Sequence, residues 1–186
     1  MIINKSTGLI ENIQFISSPN FNQRPENCEI DLLVIHGISL PSNEFGSDDV
    51  ISFFTNTLDF TKHPYFETIK DMTVSAHLFI RRNGDIIQFV PFHLRAWHAG
   101  VSQFQGRENC NDYSIGVELE GADEIPYAAA QYQQLAKVID ALQMAYPNIT
   151  AQRIVGHSDI APGRKTDPGP AFDWQQLHGL IVHSKK

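Results

Sequence analysis

Two histidines and an aspartate follow apolar segments of the chain in a pattern that suits a metal ion. His36 follows the apolar run LLVI, and His157 follows the shorter run IVG. The next residues, SDIAPGRKTDPGP, are so rich in glycine and proline that neither helix nor strand can continue, and they carry Asp159 and Asp167. Zinc enzymes commonly use three protein ligands and leave the fourth position to water or substrate. The pattern therefore favours a metal site formed by His36, His157 and Asp167.

A hydrolytic metal site also needs a base and a cation near the oxygen that becomes negative. Glu118 lies in the segment SIGVELE, where apolar residues alternate with others as in a β-strand. Lys165 lies two residues before Asp167. We take Glu118 as the candidate base and Lys165 as the candidate cation. Taken singly, a solvent-facing strand glutamate, a surface lysine and structural histidines remain the ordinary alternatives.

The elements that must position these residues can be located from the same pattern. Four consecutive apolar residues, Leu32 to Ile35, are typical of a strand buried on both faces in the centre of an α/β sheet. Ligands of such sheets bind at the carboxyl ends of the strands. If the strands that precede His36 and His157 are neighbours, both imidazoles reach the same edge of the sheet. The sequence therefore predicts an α/β fold with its site at that edge.

Capping residues, turn residues and apolar periodicity predict the other elements. Residues 1–29 are expected to form a short edge strand and then an irregular arm on the surface of the domain. The remaining elements are a helix over Asp48 to Leu58 capped by Ser47, a hairpin over Ser75 to Val90 that turns at Arg82-Asn83-Gly84-Asp85, a helix over Tyr127 to Tyr146 and a helix from Asp173 through Leu180.

Composition limits the class of protein. At 186 residues and 42% apolar residues, the chain suits a single domain with a full core. The formal charge of -7 disfavours nucleic acid and anionic membranes as partners. The two cysteines, Cys28 and Cys110, match no zinc motif and are expected to be reduced thiols. No apolar run has the length of an export signal or a membrane span, so we expect a cytoplasmic protein. We also expect a monomer.

Several segments resemble one known family. GVELEG, WHAG, SAHLFIRRNG and above all GHSDIAPGRKTDPGPAFDW are similar to the zinc-dependent N-acetylmuramoyl-L-alanine amidases of the amidase-2 family. The resemblance is strongest to the cytoplasmic 1,6-anhydro-N-acetylmuramyl-L-alanine amidases of bacterial cell-wall recycling, and it extends from about Ile30 to Trp174. It implies a single amidase domain over residues 1–186, with a central mixed β-sheet flanked by helices. The same fold is found in peptidoglycan recognition proteins and in phage amidase lysozymes.

The resemblance also implies roles for individual residues. The zinc ligands of the family match His36, His157 and Asp167, its catalytic glutamate matches Glu118, and its transition-state lysine matches Lys165. The implied cofactor is Zn²⁺, and the implied substrate is an anhydro-muropeptide, cleaved between the lactyl group and L-alanine. For the substrate we expect contacts from an aromatic and glycine-bearing loop and from the residue after the first ligand, namely Trp97, His98, Gly100 and Gly37. A core tryptophan is the alternative for Trp97.

The chain departs from the family pattern on the side of the stem peptide. Enterobacterial members have asparagine where this chain has Gly37, and two arginines thought to meet the peptide carboxylates where it has Thr73 and Asn109. Arg107 lies nearby, and we expect it to take part of that role. For His77 we expect a place in the pocket or behind the ligands, with a buried structural histidine as the alternative. Peptide-side affinity is therefore expected to be weaker.

Two other functions remain open at the level of sequence. A non-catalytic peptidoglycan-binding module would share the fold, but relatives of that kind have an altered third ligand position, whereas Asp167 is intact. A periplasmic or secreted amidase acting on intact cell wall would need an export signal, and the start of the chain, MIINKSTGLIENIQF, shows none.

Overall fold

The computed structural model describes the backbone of residues 1–184 and the side chains of residues 1–181. Twelve strands are described, most of them short: β1 (Ile3–Asn4), β2 (Leu9–Ile10), β3 (Gln14–Phe15), β4 (Phe21–Gln23), β5 (Leu32–Ile38), β6 (Leu78–Ile80), β7 (Ile86–Gln88), β8 (Leu94–Ala96), β9 (Gln103–Phe104), β10 (Arg107–Glu108), β11 (Ser114–Glu120) and β12 (Ile154–Gly156). The α-helices in this part of the chain are α1 (Asp49–Phe54), α2 (Pro64–Glu67), α3 (Ala129–Ala145), α4 (His157–Ile160) and α5 (Trp174–Ser184), with 3-10 turns at Cys110–Asp112 and Ala151–Arg153. Within these residues, no helix is long and apolar enough to cross a membrane.

A six-stranded mixed sheet organises the molecule, in the order β12-β5-β11-β6-β7-β3. The first four strands run parallel, β6 and β7 form an antiparallel hairpin, and β3 lies parallel to β7 at the edge. The two longest strands, β5 and β11, lie side by side in the centre. Their carboxyl ends, together with that of β12, therefore share one edge of the sheet, which confirms the predicted fold class.

The central strands are buried on both faces. The run Leu32 to Ile35 has no exposed surface, and β11 is buried throughout, including its polar residues. One face packs against α3 and α5, through Leu135, Ile139 and Leu177. Other apolar clusters form around α1 with the β6–β7 hairpin, and around Tyr113 with α4. Burying apolar area contributes about 25 cal/mol per Å², so these layers stabilise the strands that carry the site.

The predicted helices occur in the expected places, with shifted ends. Helix α3 has the predicted extent to within two residues at each end, and Asp173 caps α5 by accepting from the Gln176 amide at 2.8 Å. Helix α1 begins near the prediction but ends at Phe54, because Asn56 adopts a positive φ of 58°. In the hairpin turn Gly84 has a positive φ and Asn83 does not, so the turn is not the two-residue type that Asn-Gly suggests.

Residues before the first central strand form more strands than the one predicted. β1 pairs with β2 and β4 pairs with β8, while β3 supplies the expected edge strand. Arg24, in the arm that follows β4, is half-buried and donates to the carbonyls of Phe92, Asn111, Asp112 and Ser114 at 2.8 to 3.3 Å. The arm is thereby fastened to the segment that leads into β11.

Candidate active site

His36, His157 and Asp167 meet at the carboxyl edge of the sheet. Nδ1 of His36 lies 2.9 Å from Nδ1 of His157 and 3.2 Å from Oδ2 of Asp167, and Nδ1 of His157 lies 3.1 Å from the same carboxylate oxygen. Three donor atoms from distant parts of the sequence thus point at one another around a common centre. These three side chains form a possible metal-binding cluster of the described residues.

Strand pairing and a folded-back loop create this convergence. His36 lies in β5, and His157 begins α4 directly after β12, the neighbouring parallel strand. The loop after α4 returns to the site because the Ser158 amide donates to the Asp167 carbonyl at 2.9 Å. The Tyr127 hydroxyl donates to the carbonyl of Pro168 at 2.9 Å, in the space that the missing side chain of Gly37 leaves free.

The outer hydrogen bonds leave both Nδ1 atoms without a proton. His157 Nε2 lies 3.1 Å from the Ala99 carbonyl, which only accepts, so the proton is on Nε2. For His36 the position of the ring proton follows from a series of hydrogen bonds. The Ser114 hydroxyl donates to the Cys110 carbonyl at 2.6 Å and therefore accepts from His98 Nε2 at 3.2 Å. His98 Nδ1 is then an acceptor, and His36 Nε2 donates to it at 2.9 Å. The Nδ1 lone pairs are therefore available to a metal.

The charge states of the cluster fit a divalent zinc ion. Burial lowers the pKa of His36 to about 4, so the imidazole is neutral near pH 7. Two neutral imidazoles and one carboxylate are a common zinc donor set. Tetrahedral ligands at ordinary zinc distances are about 3.3 Å apart, close to the 2.9 to 3.2 Å found here.

Glu118 lies beside this cluster with one carboxylate oxygen unpaired. Its Oε1 is 3.9 Å from Nδ1 of His36, and only 8% of the residue is exposed. Oε2 is buried and has no hydrogen-bond partner among the residues that the structure describes. Burial, and then the nearby Asp167 carboxylate, raise the pKa of Glu118 well above its ordinary value, while Lys165 opposes the shift. A raised pKa suits a group that must accept a proton and release it again.

A cavity of about 920 Å³ opens over these groups. Glu118, His157, Lys165 and Asp167 line it on the metal side, together with Gly37 and His98, which were expected to contact substrate. The lining also includes the apolar or aromatic side chains of Leu40, Phe53, Tyr65, Ile69, Met72 and Val74. The cavity can therefore take a ligand with a polar reacting group and an apolar surface.

Four other residues expected near the substrate do not line this cavity, namely His77, Trp97, Gly100 and Arg107. His77 has no exposed surface and accepts from the Gly116 amide at 3.0 Å, so it is not a pocket residue, but its ring lies 5.8 Å from that of His98, the outer partner of His36. Trp97 is half-buried, and its indole nitrogen donates to Asn22 at 3.0 Å. Arg107 lies over the Tyr113 ring and pairs with Asp31 at 2.6 Å. Its guanidinium is held away from the site by a carboxylate that the sequence pattern gave no reason to pair with it.

Sequence reasoning also missed residues that support the ligands. Asn111 accepts from two backbone amides of the segment His98-Ala99, and Tyr127 holds the loop at Pro168. Neither residue lies in a segment with ligand-like spacing. Their hydrogen bonds join residues that are 12 to 41 positions apart in the sequence. Hydrophobic periodicity and turn residues indicate only local structure, so they could not predict these contacts.

Fold and site together agree with the class that the sequence comparison shows. The family described as N-acetylmuramoyl-L-alanine amidase (Amidase_2) matches residues 26–170, which is most of the chain. The chain therefore belongs to this amidase family.

Individual proteins similar to this chain indicate a particular kind of amidase within the family. The 1,6-anhydro-N-acetylmuramyl-L-alanine amidase AmpD of Escherichia coli K12 is 56% identical over 166 residues, which cover 89% of this chain and 90% of that protein. A crystal structure of a selenomethionine derivative of AmpD is 51% identical, with a TM-score of 0.93, and covers 97% of this chain and 99% of that one. The amidase AmiD of E. coli, solved with anhydro-N-acetylmuramic acid-L-Ala-D-γ-Glu-L-Lys, is 31% identical with a TM-score of 0.60, covering 85% of this chain and 60% of that one.

Proposed function

We propose that this protein hydrolyses the amide between the lactyl group of 1,6-anhydro-N-acetylmuramic acid and the L-alanine of the stem peptide, in peptidoglycan recycling. The observation that carries the proposal is the meeting of His36, His157 and Asp167 beside an unpaired Glu118 carboxylate in one cavity. The name of the E. coli relative supports the choice of substrate. So does the anhydro-muropeptide bound to AmiD.

His36, His157 and Asp167 would hold a zinc ion through Nδ1, Nδ1 and Oδ2. A zinc ion bound there would polarise the amide carbonyl and lower the pKa of an attacking water. His98 and the Ala99 carbonyl keep the two imidazoles in the tautomer that this role requires. Hydrogen bonds of this outer kind orient the ligands and raise their basicity.

Glu118 supplies the proton transfers. Its carboxylate removes a proton from the water whose oxygen forms a bond to the amide carbon. When the carbon–nitrogen bond breaks, the same carboxylic acid gives that proton to the departing alanine nitrogen, which leaves as an amine. The unpaired Oε2 faces no competing donor among the described residues, so it is free for this exchange.

Lys165 stabilises the negative charge that develops on the carbonyl oxygen. Its side chain lines the cavity, on the side of Glu118 and Asp167. Its positive charge opposes the rise in the pKa of Glu118 and adds to the lowering of the pKa of His36. A fixed positive charge directed at a developing oxyanion is worth several kcal/mol in a site that excludes water, on the order of the 2.7 to 4 kcal/mol found for single donors.

The cavity is suited to the sugar as well as to the amide. The apolar side chains that line the cavity can cover the apolar face of an anhydro-sugar ring. The cytoplasmic location and the monomeric state expected for this chain are part of the proposal. Cell fractionation and sedimentation of the purified protein test these two points.

Product analysis tests the reaction itself. Purified anhydro-muropeptide and intact peptidoglycan would be incubated side by side with the zinc-loaded protein, and the products identified by mass spectrometry. We expect release of the free peptide and anhydro-N-acetylmuramic acid from the first substrate at a much higher rate. Equal or faster cleavage of intact peptidoglycan would identify a wall-cleaving amidase instead. Binding of both substrates without any cleavage would identify a binding module.

A further inference from the structure

One asparagine side chain holds the segment that supports both histidine ligands. Asn111, in the 3-10 turn before β11, is only 7% exposed. Its side-chain oxygen accepts from the backbone amide of His98 at 3.0 Å and from that of Ala99 at 2.8 Å. Both lone pairs of one amide oxygen are therefore used to fix two consecutive residues.

Those two residues carry the outer partners of both imidazoles. The ring of His98 accepts from Nε2 of His36 at 2.9 Å, and the carbonyl of Ala99 accepts from Nε2 of His157 at 3.1 Å. A shift of this segment would consequently turn both ligand rings at once. The remaining ligand, Asp167, has no contact with the segment among those that the structure describes and is held by Ser158 instead.

We propose that Asn111 is a positioning residue of the metal site, which orients His36 and His157 together by fixing the His98-Ala99 segment. The inference rests on the proposed function only in taking these two histidines as metal ligands. Removing an outer partner of a metal ligand typically costs 10- to 100-fold in metal affinity. Since Asn111 controls two such partners, we expect its loss to weaken zinc binding by about that range.

The backbone of Asn111 is held independently of its side chain. Arg24 donates to the carbonyl of Asn111 at 3.1 Å and to those of Asp112 and Ser114 at 2.8 Å each. The Ser114 hydroxyl also donates to the Cys110 carbonyl. Replacing the Asn111 side chain should therefore leave the 3-10 turn in place and release mainly the His98-Ala99 segment.

The test compares zinc affinity in two variants of this residue. Asn111→Leu removes the acceptor, whereas Asn111→Asp keeps an oxygen that can accept from both amides. Zinc affinity would be measured by competition with a chromophoric chelator, and ligand geometry by the visible absorption of the cobalt-substituted protein. We expect 10- to 100-fold weaker zinc binding and an altered cobalt spectrum for Asn111→Leu, and values close to wild type for Asn111→Asp. If Asn111→Leu does not fold, Asn111→Ala provides the same comparison.

A second buried asparagine provides the matched control. Asn20 is 3% exposed, and its side chain donates to Asn56 and to the Val74 carbonyl, away from the ligands. Asn20→Leu should lower thermal stability to a similar degree without changing zinc affinity. The inference is overturned if Asn111→Leu binds zinc as tightly as wild type, or if Asn20→Leu weakens binding equally. Absence of zinc binding by the wild-type protein would instead overturn the proposed metal site itself, and the role of Asn111 with it.

Discussion

Glu118 and His36 are direct partners in the register of β11 and β5, and the Glu118 carboxylate lies 3.9 Å from Nδ1 of His36. Residues paired in this way on parallel strands point to the same face at the same height. The candidate base is therefore placed by backbone pairing between the two longest strands of the sheet, and not by a loop. Such a position holds the base rigidly beside the first ligand, which favours catalysis over mere binding.

The first prediction concerns the metal ligands. His36→Ala and Asp167→Ala each remove one of three donors, so both variants should lose zinc and activity while retaining the fold. Metal content after dialysis, measured by elemental analysis, checks the loss, and circular dichroism checks the fold. His178→Ala, on the exposed surface of α5, is the control and should retain zinc. A full complement of zinc in both ligand variants would exclude this triad.

The second prediction separates the base from the ligands. Glu118→Gln keeps the shape of the side chain but cannot take up a proton, so kcat should fall by about 100-fold or more. Zinc content and KM should change little, because a base acts mainly in the transition state. Steady-state kinetics on an anhydro-muropeptide provides the measurement, with the exposed Glu11→Gln as control. Near-normal turnover of Glu118→Gln would remove this residue from the mechanism.

The sequence predicted the parts of this site that have a local signature. An apolar run followed by histidine marks the end of a buried strand, and Gly and Pro mark the returning loop, so His36, His157 and Asp167 could be chosen before the structure was known. The fold class followed from the same buried strands. The alternation in β11 likewise set Glu118 apart from the apolar face of its strand.

Contacts between distant residues set the limit of such prediction. Arg107 was expected near the peptide, but Asp31, 76 residues earlier, holds its guanidinium. His77 was expected in the pocket or behind the ligands, with a buried structural histidine as the alternative; it has no exposed surface and accepts from the Gly116 amide, which excludes only the place in the pocket. Nothing local in the sequence indicates either partner. Helix α1 shows the same limit for element ends, because a positive φ at Asn56 stops it early.

The third prediction concerns the dependence of stability on pH. Burial lowers the pKa of His77 well below its ordinary value, and Arg24 adds to this effect. Between that lowered pKa and about 6.5, the unfolded chain binds one proton more than the native protein at this residue. The contribution of neutral His77 is therefore complete above about pH 6.5 and is lost as the pH falls, by about 1.4 kcal/mol per pH unit.

Urea unfolding of the metal-free protein at several pH values tests this slope. His77→Gln should be less stable than wild type near pH 7, yet its free energy of unfolding should fall less steeply below pH 6.5. Part of the slope should persist, because burial also lowers the pKa of His36 and of His98. The exposed His178→Gln should keep the full slope. An unchanged slope in His77→Gln would show that this histidine is not held neutral.

The last prediction concerns the stem peptide and follows from what each end of the substrate offers the protein. The sugar end presents a ring face and neutral hydroxyls to the cavity, whereas the peptide end presents carboxylates, which guanidinium groups bind best. Thr73 and Asn109 are exposed and uncharged, and the Arg107 guanidinium is engaged by Asp31. Shortening the stem peptide from three residues to one should therefore raise KM by less than about tenfold, because an exposed charge pair is seldom worth more than about 1 kcal/mol.

Introducing arginine at both positions should have the opposite effect. Thr73→Arg combined with Asn109→Arg should make the enzyme more sensitive to peptide length, and the added sensitivity should fade at high salt because exposed charges are screened. The matched control is the pair Thr73→Gln and Asn109→Gln, which adds length without charge and should leave the sensitivity unchanged. Steady-state kinetics on two anhydro-muropeptides suffices. A loss of 100-fold or more in kcat/KM for the wild-type protein with the short peptide would mean that another residue binds those carboxylates. Arg164, which lines the cavity next to Lys165, would then be the first residue to replace.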